Sequence, residues 1–108
     1  MSFLVIYVTH PSKPEAIRIT AELLNQRLIA CANYFPVESS YWHDNQLTSS
    51  EEIVTLYKTR RENADAIREV IEKLHKYEIP CIMKLSIVEA NESYENWIQE
   101  ETRIPAIL

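Results

Sequence analysis

Residues 28 to 58 read LIACANYFPVESSYWHDNQLTSSEEIVTLYK, and this stretch decides the fold. Ile29 to Pro36, with Tyr34 and Phe35 following a run of small apolar residues, reads as a strand. Ile53 to Lys58 reads as its partner, with Ile53, Thr55 and Tyr57 on one face and Val54, Leu56 and Lys58 on the other. Between them, Asp44-Asn45 suits a two-residue turn, because both residues tolerate positive φ better than most. With its turn there, each arm of the hairpin runs for about 13 residues and reaches about 40 Å. A domain of this size supports strands of about half that length, so the hairpin overshoots its own sheet. Its outer part carries Tyr41 and Trp42, large apolar groups that mark a candidate interface with a neighbouring subunit. The competing reading takes residues 37 to 50 as polar loop, on the strength of Glu38-Ser39-Ser40 and Thr48-Ser49-Ser50.

Before the hairpin, residues 3 to 9 are apolar at nearly every position, the pattern of a central strand covered on both faces. His10-Pro11-Ser12 breaks that strand, and Ser12 with Glu15 makes a capping box around Pro14. Ile17, Ala21, Leu24 and Leu28 then form one helical stripe. After the hairpin, Thr59 and Glu62 repeat the capping-box spacing, and Ile67, Val70, Ile71 and Leu74 give a second stripe. Tyr77 to Pro80 ends that helix, Cys81 to Val88 reads as a fourth strand, and a short helix starts near Asn91 with Tyr94, Trp97 and Ile98 on one side. The order is β-α-β-β-α-β with an extra C-terminal helix. Crossover handedness and hairpin adjacency leave few layouts, of which the commonest is the ferredoxin-like, split-βαβ α+β sandwich. That arrangement has strand order 4-1-3-2, with the two main helices on one face. The expectation is a single domain over residues 1 to 108.

Composition removes several function classes. The chain has no glycine, so phosphate-cradling loops, dinucleotide fingerprints and glycine-flanked serine elbows are absent from it. A net charge of -5 argues against nucleic acid as a partner. Cys31 and Cys81 are the two cysteines, and the N-terminus runs into Phe3-Leu4-Val5-Ile6 without a basic region or cleavage site. That run is too short to cross a bilayer, so the expectation is a cytoplasmic protein with free thiols and no membrane partner.

The same segments resemble the CutA family of divalent-cation tolerance proteins. The resemblance is carried by Thr9, by Leu28-Ile29-Ala30-Cys31-Ala32-Asn33, by Ser39 and Tyr41-Trp42, by Glu52 and by Lys58-Thr59. It continues through His75, Tyr77-Glu78-Ile79-Pro80, Tyr94 and Trp97, and so covers nearly the whole chain. What it implies is a non-enzymatic homotrimer of ferredoxin-like subunits locked by long hairpins, associated with the response to divalent metals. Copper binding is described for some members, and a signalling role has been proposed from their likeness to PII regulators. The chain departs from the family at Asn45, where a glycine is usual, at Lys76 in place of a proline, and at Cys81 in place of an acidic residue. Its hairpin is also about one residue shorter before Tyr41. Copper-binding members use a cysteine and two adjacent histidines where this chain has Val8, Leu74 and His75, so one of three ligands remains.

Topology supplies a separate argument about metal. The end of the first strand, the hairpin turn and the start of the fourth strand share one pole of the sheet. That pole collects His10, His43, the segment from His75 to Glu78 and Cys81, and imidazole with thiolate suits Cu or Zn. The candidate metal ligands are therefore His75, Cys81, His10 and His43. Each has a plainer reading: His75 as a helix C-terminal residue, His43 as packing beside Trp42, His10 as a loop hydrogen-bonder, Cys81 as a strand residue. Cys31, between two alanines in an apolar strand, reads as core. Lys58, Tyr77, Glu78 and Trp97 are candidates for a cleft holding a small polar ligand, as in a PII-like sensor, or else for structural packing and ion pairs. No organic cofactor is expected. An acylphosphatase-type enzyme is disfavoured, because that chemistry needs a glycine-rich loop with an arginine where this chain has His10-Pro11-Ser12-Lys13.

Overall fold

A computed structural model describes residues 3 to 105. The element order is β1 (Phe3–His10), α1 (Lys13–Asn25), β2 (Cys31–His43), β3 (Gln46–Arg60), a 3-10 turn at Arg61–Asn63, α2 (Ala64–Leu74), β4 (Ile82–Ser86) and α3 (Glu92–Glu101). The four strands form one antiparallel sheet in the order β2-β3-β1-β4, the ferredoxin-like arrangement expected from the pattern. β1 is central and buried along most of its length, as its unbroken apolar run requires.

Residues opposite one another in register share a face of the sheet. Leu4, Ile6 and Val8 with Tyr57 face α1 and α2, and they pack against Ile19, Leu23, Ile67 and Ile71. Thr20 and Tyr57 share a hydrogen bond of 3.0 Å between the two layers. α3 lies on the other face, where Arg60 donates from Nε to Thr102 Oγ1 at 2.8 Å and from Nη2 to Gln99 O at 2.5 Å. Beyond α3 that face is open, with Phe35, Met83 and Leu85 exposed.

The hairpin is longer than its apolar parts. β2 and β3 stay in register from Cys31 opposite Lys58 out to His43 opposite Gln46. The loop reading of residues 37 to 50 is therefore set aside. Asp44 and Asn45 make the turn with φ of 49° and 61°. β1 pairs with β3 only from Ile53 to Arg60, so Gln46 to Glu52 projects beyond it by about 23 Å. The serines that read as loop face each other across the ladder, Ser39 opposite Ser50 and Ser40 opposite Ser49.

Two local expectations are corrected. α1 buries Ala16, Ile19, Thr20 and Leu23, whereas Ile17 and Leu24 are 48% and 44% exposed. Leu28 is buried, but it lies past the helix end, where Arg27 takes φ of 60°. There Leu28 N–H donates to Leu23 O and Arg27 N–H to Leu24 O, a Schellman cap closed by an arginine in a chain without glycine. Ser12 does cap α1, its Oγ accepting from Glu15 N–H. Thr59 does not cap α2; its Oγ1 donates instead to Leu28 O at 2.5 Å, joined there by Asn63 Nδ2 at 3.0 Å.

Candidate functional site

The segment between α2 and β4 wraps over the end of β1, and one histidine fixes it there. His75 caps α2 through its backbone N–H to Ile71 O. Its Nε2 lies 2.8 Å from Thr9 O, and its Nδ1 accepts the Tyr77 N–H at 3.0 Å. A carbonyl can only accept, so His75 is the Nε2–H tautomer with both nitrogens occupied. Its ring stacks on His10 at 5.3 Å between centroids. His10 is fully buried, with Nε2 2.9 Å from Thr55 Oγ1 and with no partner for Nδ1 among the described residues. Burial, reinforced by His75, lowers the His10 pKa to about 4.

In front of this pair lies a cleft of about 610 Å³ between the outer hairpin and the 75–81 segment. Tyr41 and Tyr77 supply rings and Trp42 borders the cleft from the strand, while Glu52, Glu78, His43 and Cys81 supply the acidic, imidazole and thiol groups. Glu52 is only 9% exposed and accepts the Tyr77 phenol at 2.7 Å. Burial, and then the Glu52 carboxylate, pushes the Tyr77 phenol well above its usual range. Burial also raises the Cys81 thiol, with Glu52 adding to the effect, so Cys81 is held as the thiol. His43 is exposed, 3.4 Å from Asp44. Lys76 lies 3.6 Å from Glu15. Glu52 also borders a second cleft of about 440 Å³, with Glu38 and Glu51 on its wall.

The expected pole is real, and it divides the candidate ligands. His43 and Cys81 line the cleft, whereas His10 and His75 form the packed wall behind it. Among the described residues no group of three or more His, Cys, Asp or Glu side chains is placed to hold a metal ion. The other candidate set also separates. Tyr77 and Glu78 line the cleft, but Lys58 sits opposite Cys31 and donates to Asn33 Oδ1, and Trp97 stacks on Tyr94 at 5.7 Å. Within one subunit Lys58 and Trp97 belong to the α3 end of the sheet. There burial, followed by Cys31, raises the Tyr94 phenol.

The model of the CutA1 divalent ion tolerance protein family matches residues 4–101. The chain belongs to the CutA1 family. It is 33% identical over 100 residues to the divalent-cation tolerance protein CutA of Pyrococcus horikoshii, covering 93% of this chain and 98% of that protein. The rice protein CutA 1, chloroplastic, is also 33% identical, and the match spans 57% of its length. Among solved structures, CutA of Archaeoglobus fulgidus, described as a periplasmic divalent cation tolerance protein, superimposes with a TM-score of 0.90 at 34% identity. That match covers 92% of this chain and 97% of that one. These relatives occupy more than one compartment. Among the described residues no helix of this CutA1-family chain is long and apolar enough to cross a membrane.

Reading the pattern for metal ligands overlooked Glu52 as a site residue. A signal was available: Glu52 shares its strand face with Val54 and Leu56, so a carboxylate interrupts an apolar row. The Thr9 carbonyl that fixes His75 is a backbone group, and no residue type announces it.

Proposed function

We propose that this CutA1-family chain works as a cytoplasmic homotrimer that responds to divalent metal ions without catalysing a reaction. The observation that carries the reading is the gathering of His43, Cys81, Glu52 and Glu78 around one cleft at the foot of a hairpin that overshoots its own sheet. Imidazole and thiol donors suit copper or zinc, and the carboxylates add negative charge. Since ligating thiols must lose their proton, binding at Cys81 would be opposed by its raised pKa and favoured at higher pH. Self-association is supported by the unpaired edge of Gln46 to Glu52 and by the open sheet face carrying Phe35, Met83 and Leu85.

The test is calorimetric titration of freshly reduced, metal-stripped protein with Cu and Zn salts, alongside Cys81→Ser and His43→Ala. Saturable binding stoichiometric with subunits, and lost in both variants, supports a metal site in the cleft. His75→Ala serves as a control that loosens the wall without removing an available donor. Heats no larger than those of a control protein overturn direct metal binding.

A second reading, a PII-like sensor of a small molecule, is favoured by the Tyr41 and Tyr77 rings beside Glu52 on the cleft wall.

A further inference from the structure

We draw no further inference here: the strongest candidate, the stacked His10–His75 pair that pins the 75–81 segment over the end of β1, forms the wall of the site already described, and nothing in the structure shows what would release the segment.

Discussion

His10 and His75 stack face to face although they stand far apart in sequence, and their roles are opposite. His75 spends both nitrogens holding the 75–81 segment onto β1, whereas His10 is sealed in the core with one nitrogen unpartnered. Topology could place the two imidazoles at the same pole, but it could not say that a backbone carbonyl would claim one of them. The buried histidine has a consequence for stability. Its folded pKa of about 4 lies below the ordinary 6.5, so on acidification the unfolded chain takes up the proton first. Nearby Glu15 and Glu52 oppose the shift without cancelling it. Stability is therefore full above pH 6.5 and drains away as the pH falls toward about 4. Urea midpoints across that window should fall less steeply in His10→Gln, which keeps a polar group beside Thr55 but has no imidazole to protonate. Parallel slopes for variant and parent would show that carboxylates alone cause the loss. Tyr77→Phe belongs to the same scale. It leaves buried Glu52 without its donor and should cost about 1–3 kcal/mol in chemical denaturation, with little change in the sheet's far-ultraviolet dichroism.

Among the elements, the hairpin and α1 show what a single chain reveals and what it hides. Asp44-Asn45 was legible as a turn because few residues accept positive φ, and both adopt it. The full length of β2 and β3 was harder to read, because the serines that resemble a loop pair across the ladder and Glu38 stands opposite Glu51. Polar residues are consistent with a strand that has water on both sides, so composition could not separate the two. In α1 the apolar arc is wide enough to hold two overlapping stripes. The stripe through Ile17 and Leu24 continues in the sequence to Leu28, but the left-handed Arg27 breaks the helix before it. Thr59 illustrates the same difficulty, since its capping spacing is overruled by a tertiary bond to Leu28 O. The turn supplies the prediction at this scale. Asn45→Gly removes the remaining steric cost of φ near 61° and should stabilise the hairpin by about 0.5–1 kcal/mol. Asn45→Val, branched at Cβ, should destabilise by about 1–2 kcal/mol. Denaturant midpoints that moved the same way in both variants would mean that the turn's φ is not what limits it.

At the scale of the whole molecule, the subunit spans 45 × 33 × 22 Å, and the hairpin is what makes it so long for its mass. Trp42 and Leu47 face each other across the outer ladder and are 74% and 73% exposed. Each such side chain gains about 1.5–3 kcal/mol when removed from water, so leaving the pair exposed in every copy favours association strongly. The unpaired edge from Gln46 to Glu52 adds backbone donors and acceptors that a neighbouring strand can satisfy. Both features lie beyond the subunit's own sheet, and both are met at once if the hairpins of neighbouring copies interlock. If the proposed homotrimer is the form these contacts take, light scattering on a sizing column should give three times the 12.7 kDa subunit mass for the parent. The double variant Trp42→Ser with Leu47→Ser should shift toward smaller species on dilution, because each subunit loses about 3 kcal/mol or more of association energy. A parent that runs as a monomer would overturn the trimer outright. A double variant that stays assembled on dilution would move the dominant contact from the hairpin tip to the open sheet face around Phe35, Met83 and Leu85, where Leu85→Lys would then be the variant that separates the subunits.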